Sequence, residues 1–269
     1  MYESWIDEID LDPASHWLKL GTRALGSRPW LIVDSKAEVE LAERARLLAD
    51  HRGEVLLLSD AAAVAGREVL ELVVAETGLT SADQNPTGEP LDPLEQAGRL
   101  VQEDLVLMQW RDGAWRLDAA CLCFPSLWRL ADKAGKPMLA IHEPVAGYPD
   151  AIGDTVNRMM SRLGQRPVWR RNWFVHGSPA LFQPERTPEP VVPLERCGTD
   201  LFVRSERQTL RLLPESGWIL FTIRIQHCQL RDLLAVRGAE FVAYLEGSTA
   251  ADVAHRGMSP DQAAILRRL

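Results

Sequence analysis

Basic residues are in short supply. Lys and Arg number 30 against 38 Asp and Glu in 269 residues, a formal charge of −8. Nucleic acid and anionic membrane surfaces both reward basic patches, so neither is expected as the main partner. Cysteine is scarce too: four in a chain this long, with Cys121 and Cys123 one residue apart, do not suggest a disulfide framework. No C-x-x-C pair is present to hold zinc at a standard spacing. No run approaches the ~18 apolar residues that span a bilayer, and the opening MYESWIDEIDLD is acidic and lacks the apolar centre of a signal peptide. There is no G-x-G-x-x-G nucleotide loop, no cysteine run for an iron–sulfur cluster, no internal repeat and no low-complexity tract. A soluble, cytoplasmic protein is the expectation.

Hydrophobic residues make up 46% of the chain, enough to bury a sizeable core. Unusual residues are densest over 119–145, AACLCFPSLWRLADKAGKPMLAIHEPV. Residues 105–110 and 115–124 are apolar and joined through Asp112-Gly113, which supplies the positive-φ residues of a tight hairpin. Period-two alternation puts Trp115, Leu117, Ala119, Cys121 and Cys123 on one face. Pro125 should end the strand and Ser126 cap a short helix to Ala134, closed by Gly135 and Pro137. His142 follows an apolar run and precedes Glu143-Pro144, a position suited equally to a ligand and to a buried structural histidine.

Upstream, Trp5, Trp17 and Trp30 read as anchors. Ser35-x-x-Glu38 is a capping-box signature for a helix to about Asp50. A second helix is predicted over 61–77 behind an Asp60 cap, with Gly78 as its stop, then a polar loop over 81–90. Asp92-Pro93 opens a third helix to about Gln102. Downstream, Asp150 caps an amphipathic helix with Ile152, Val156, Met159, Met160 and Leu163 on one stripe. Residues 168–175 read as a strand with Arg170, Asn172 and Phe174 on one face and Trp169, Arg171 and Trp173 on the other. A second hairpin spans 201–213 and 218–226. Its first arm puts Arg204, Glu206 and Gln208 on one face and Ser205, Arg207 and Thr209 on the other. Charge on both faces implies pairing, or a face bordering a cavity, solvent or cofactor. Two helices, over 230–245 and 260–269, complete the chain. The order fits an α+β domain spanning 1–269: a helical N-terminal layer over 1–102, an antiparallel sheet core over 103–228, and C-terminal helices over 229–269.

Four blocks carry a resemblance. C-L-C-F-P-S-x-W-R from Cys121, I-H-x-P-V-x-G-Y over 141–148, R-x-N-W from Arg170 and R-S-E-R-Q-T-L-R-x-L-P from Arg204 occur in the order found in the haem-dependent oxidative N-demethylase alpha-subunit family. The likeness covers roughly residues 29–230. It implies a PAS-like sheet elaborated by extra helices. It further implies haem b, dioxygen as co-substrate and oxidative removal of a methyl group from a small alkylamine with release of formaldehyde. Electrons would come from a separate flavin and iron–sulfur reductase subunit. A non-catalytic haem or small-ligand sensor on the same scaffold, or an apo scaffold subunit, is the alternative.

Haem needs an axial ligand, an apolar slot and polar partners for its propionates. The resemblance places His142 as iron ligand, with His176 and His227 as second choices. Arg129, Asn172, Trp173, Arg204 and Arg207 are its other expected cofactor-binding residues. Arg170 is the expected stabiliser of charge on bound oxygen and Glu206 the holder of the cationic amine. The competing expectation is a structural ion-pair network of Arg170, Arg204, Glu206 and Arg207. A zinc site from Cys121, Cys123, Cys197, His227 and Cys228, or a Cys123–His142 nucleophile pair, is the lesser alternative, since a buried strand accepts cysteine as a small hydrophobe. Where family members tend to show F-P-S-R-W and I-H-G-P-V-P-G, this chain has Leu127, Glu143 and Ala146. An arginine able to meet a propionate is thereby absent, and a carboxylate stands beside His142.

Overall fold

The computed structural model describes residues 4–15, 21–79, 91–142, 154–164, 166–187 and 189–269, with His142 and Asp154 described by backbone alone. Among the described residues seven strands form one antiparallel sheet in the order β1-β5-β6-β7-β3-β4-β2. They are β1 (Arg23–Ala24), β2 (Leu56–Leu57), β3 (Asp104–Arg111), β4 (Ala114–Cys121), β5 (Val168–His176), β6 (Phe202–Leu212) and β7 (Ile219–Gln229). With the helices around it, this is an α+β architecture. Among the described residues no helix is long and apolar enough to cross a membrane.

Local chemistry explains the hairpins. Asp112 and Gly113 take φ of 52° and 74°, as a two-residue turn between right-twisted strands requires. The β6–β7 turn closes through Gly217 at φ 71°. Its tip is held by Glu68, whose carboxylate accepts from the backbone N–H groups of Glu215 (2.9 Å) and Ser216 (3.1 Å). Alternation along β4 fails at one point. Leu107 pairs with Ala119 but Met108 pairs with Leu117, so a bulge at Asp118 inverts the facing. Trp115 and Leu117 therefore face away from Ala119 and Cys121, contrary to expectation.

Helix α1 (Ala37–Asp50) starts without the expected capping box. Lys36 occupies the cap position and its N–H donates to Asp34 Oδ1 at 3.0 Å. After α2 (Arg52–Val55), a 3-10 turn over Asp60–Ala62 leads into α3 (Ala63–Thr77), with no side-chain cap from Asp60 and with Gly78 left-handed at its end as expected. Helix α4 (Pro93–Leu100) begins as the sequence predicts, Asp92 accepting from Leu94 N–H at 2.8 Å. The helix expected after Ser126 is only a 3-10 turn over Leu130–Asp132. Helices α5 (Met138–His142), α6 (Asp154–Ser161) and α7 (Cys197–Asp200) are short. Val156, Met160 and Leu163 are buried as their stripe implies, with Met159 partly so. The C-terminal region holds three helices rather than two: α8 (Leu230–Gly247), α9 (Ala250–His255), with a Thr249–Asp252 capping box, and α10 (Pro260–Leu266). Trp5 and Trp30 are buried anchors; Trp17, the 81–90 loop, Asp150 and Ile152 lie outside the described residues.

The two sheet faces differ. One is sealed by the N-terminal layer and α8. Arg224 pairs with Asp34 and Glu40, each at 2.7 Å, and Arg171 with Glu8 at 2.6 Å. Trp173 packs against Phe241 and Tyr244. The other face carries the candidate site.

Candidate functional site

Directly paired residues of an antiparallel sheet share a face. The register of β5, β6 and β7 therefore builds one surface in rows: Arg170, Gln208, Ile223; then Asn172, Glu206, Ile225; then Phe174, Arg204, His227. Arg170 and Glu206 are brought together as expected, but not into contact. Gln208 stands between them, its Oε1 accepting from Arg170 Nε at 2.6 Å and its Nε2 donating to Glu206 Oε2 at 2.8 Å. Gln208 was not singled out from the sequence, although period two and the R-S-E-R-Q block already put it beside Glu206.

No ion pair joins any two of Arg170, Arg204, Glu206 and Arg207, so the expected alternative network is not built. Glu206 is 7% exposed and makes no direct ion pair among the described residues, although its charge reaches Arg204 two residues away and opposes the lowering of that guanidinium's pKa. Arg204, 2% exposed, is held entirely by neutral acceptors: Ser126 Oγ and the carbonyls of Phe124, Pro125, Ala180 and Leu181 at 2.9–3.2 Å. Burial lowers its pKa to about 10. It clamps two loops to the sheet, a role the sequence did not suggest for a residue read as a cofactor partner. Ser126, read as a helix cap, is one of its acceptors.

Among the described residues two imidazoles on this face, that of buried His176 and that of half-buried His227, each carry a buried nitrogen with no hydrogen-bond partner, Nε2 and Nδ1 respectively. Burial, reinforced by Arg204 and Arg186 around His176 and by Lys36 and Arg204 around His227, lowers both pKa values to about 4. His255, at the end of α9, lies 5.9 Å from the Phe174 ring and is lowered to about 3 by burial, Arg256 and Arg170. All three are neutral at physiological pH. Ile223 and Ile225 add an apolar floor. A hollow of about 540 Å³, lined by Met159, Leu163 and Val168 with Arg162 and Arg166, opens one row beyond Arg170.

The remaining expected residues lie elsewhere. Trp173 and Arg207 are on the opposite face: Trp173 donates to Asp10 O at 3.1 Å, and Arg207 donates to the carbonyls of Pro29 (2.6 Å) and Trp30 (3.2 Å). Asn172 shares the row of Glu206, but its Oδ1 accepts from Arg256 Nη1 at 2.8 Å. Arg129 is exposed and ion-paired with Glu185. His142 ends α5, and its side chain lies outside the described residues. The four cysteines are buried free thiols. A hydrogen bond from Cys121, together with burial, pushes the Cys123 thiol up, the opposite of an activated nucleophile.

The family model for "Haem-dependent oxidative N-demethylase, alpha subunit-like" matches residues 75–265. The chain belongs to that family. The match takes in β3 to β7 and every residue of the surface just described, and leaves α1 outside. As a haem-dependent oxidative N-demethylase alpha-subunit-like protein, it should offer donors suited to iron. The buried imidazoles fit that requirement, because a neutral ring with a free nitrogen is the ligating form of histidine. The apolar floor and nearby guanidinium groups fit a macrocycle bearing propionates.

Proposed function

We propose that this protein is the haem-binding subunit of an oxygen-dependent N-demethylase that takes a methyl group from a small methylated amine and releases it as formaldehyde. Electrons come from a separate flavin and iron–sulfur reductase. The observation that carries the reading is Glu206, a buried carboxylate that forms no direct ion pair among the described residues and has only the through-space charge of Arg204 to set against its own. Burying a charge without a direct partner is expensive, and a cationic alkylamine would supply a contact that Arg204, turned to the loop carbonyls, does not make.

Bound haem b would supply activation of dioxygen. Within this reading His142 would be the residue that holds the haem iron, and His176 and His227 offer the same donor chemistry from the sheet. Arg170 places fixed positive charge where oxygen acquires negative charge. Glu206 holds the ammonium group and takes its proton, leaving the nitrogen lone pair free for oxidation. Ile223 and Ile225 keep water away from the N-methyl groups. Arg204 acts through the loops that it clamps. A PAS-like scaffold and a cytoplasmic location belong to the same proposal.

The test is reconstitution with haem of the wild type and of the His142→Ala, His176→Ala and His227→Ala variants, followed by turnover with a supplied reductase. A sharp Soret band that responds to reduction and oxygen, is altered in one histidine variant, and accompanies formaldehyde release from methylated amines is the expected result. Haem uptake without formaldehyde would make the protein a haem sensor. No specific haem uptake would leave a scaffold subunit.

A further inference from the structure

We infer that Gln208 is a positioning residue whose amide holds Arg170 off Glu206 and so keeps the carboxylate open to an alkylammonium group. The inference rests on the reading of Glu206 as the amine-binding residue.

Arg170 pairs across the strands with Gln208, and Asn172 with Glu206, so Arg170 and Glu206 are diagonal neighbours. Diagonal neighbours stand roughly 7–8 Å apart, their Cβ atoms somewhat closer, well within the reach of an arginine. With Glu206 buried and Arg170 half-buried, direct ion pairing would be within reach of such a pair. Here the Gln208 carbonyl occupies Arg170 Nε (2.6 Å) and its NH₂ occupies Glu206 Oε2 (2.8 Å). The amide orientation is dictated by its neighbours, because a flip would set donor against donor and acceptor against acceptor. Asn172, directly across from Glu206, donates no hydrogen bond to the carboxylate among the described residues, and its Oδ1 accepts from Arg256. Glu206 Oε1 keeps no hydrogen bond among the described residues, and Ile225 lies directly beside it in the next strand. An anionic oxygen next to an apolar wall suits a cation carrying methyl groups. A neutral amide is the one side chain of this length that can satisfy both charged neighbours without neutralising either.

The experiment is an NMR titration of trimethylammonium chloride into the full-length, haem-reconstituted protein. The variants are Glu206→Gln, Gln208→Met, Arg170→Met and Arg170→Met/Gln208→Met, with thermal unfolding recorded for each. Gln208→Leu provides the same comparison if the methionine variant is unstable. Loss of the spacer should let Arg170 close on Glu206 and weaken binding about tenfold or more, the scale of one charged hydrogen bond. Removing Arg170 as well should restore most of that loss, with Arg170→Met alone as the reference for the double variant. A merely structural role for Gln208 would not produce the rescue. Undiminished binding by Glu206→Gln overturns the amine reading itself. Loss in Glu206→Gln with undiminished binding in Gln208→Met, or a double variant no better than Gln208→Met, overturns only the role given to Gln208.

Discussion

Arg44 and Asp104 meet at 2.8 Å with neither side chain reaching solvent. Arg44 Nε also donates to Gly98 O at 3.0 Å, and the Asp104 carboxylate accepts from the N–H groups of Cys123 (2.7 Å) and Phe124 (3.1 Å). One pair thus ties α1 and α4 to β3 and receives the chain where β4 stops. Asp104→Ala strands a buried guanidinium and frees two backbone donors. We expect a loss of roughly 3–5 kcal/mol in urea unfolding. Adding Arg44→Met should recover part of it. A loss under about 1 kcal/mol would mean that water reaches the pair.

Acid should destabilise the fold beginning near pH 6.5. The folded pKa values of His176, His227 and His255, about 4, 4 and 3, lie below the free imidazole value. The unfolded chain therefore binds protons that the folded chain refuses. Stability from this source is complete above pH 6.5 and is lost as pH falls toward 4. Unfolding midpoints at pH 7.5, 6 and 5 should decline, and His176→Leu should flatten the decline. An unchanged slope in that variant would count against a buried neutral His176.

Glu103 pulls in the opposite direction. Burial raises its pKa to about 7, with one oxygen accepting from Ile32 N–H at 2.7 Å and the other lacking a hydrogen-bond partner among the described residues. The folded chain keeps a proton that the unfolded chain releases, so stability falls as pH rises from about 4.5 to about 7. Glu103→Gln retains the acceptor without the charge. It should be more stable than wild type at pH 8, by on the order of 2–3 kcal/mol, and lose that advantage near pH 4.5. Equal stability at pH 8 would be incompatible with a strained carboxylate there.

Gly98 marks a close approach rather than a flexible point. A Cβ built on it would lie 2.3 Å from Cys121 Sγ and 2.9 Å from Cys121 Cβ. Gly98→Ala is predicted to cost about 1–3 kcal/mol through overpacking of α4 on β4. Adding Cys121→Ala removes the sulfur and should return part of the loss; no recovery would place the strain elsewhere in α4.

Local signals were legible where one stretch of backbone settles the outcome. Asp92-Pro93 opens α4, Asp112-Gly113 turns the first hairpin and Gly78 stops α3 because each acts on its nearest neighbours. The Ser35–Glu38 box failed because Asp34, engaged with Arg224 at 2.7 Å, takes the Lys36 N–H instead. Ser126 failed as a cap because Arg204, 78 residues later, claims its hydroxyl. Half of the site followed from alternation, which put Arg170 on one strand face and Glu206 and Gln208 on another. Arg207 and Trp173 were grouped with them by motif block, although the same alternation had already set them on opposite faces.

By itself the sequence determined the five long strands and the main helices, the side-chain parity of β5 and β6, and a family whose motifs gather on the sheet, but not the two-residue edge strands β1 and β2. Those properties follow from turn chemistry and period-two geometry, which operate within a few residues. Only the tertiary structure decided which face is sealed, that Gln208 separates Arg170 from Glu206, that Arg204 is consumed by loop carbonyls and that two imidazoles keep an unused nitrogen. Each depends on strand register and burial. Both are set by partners distant in the chain, and together they fix which donors and acceptors are left without a protein partner.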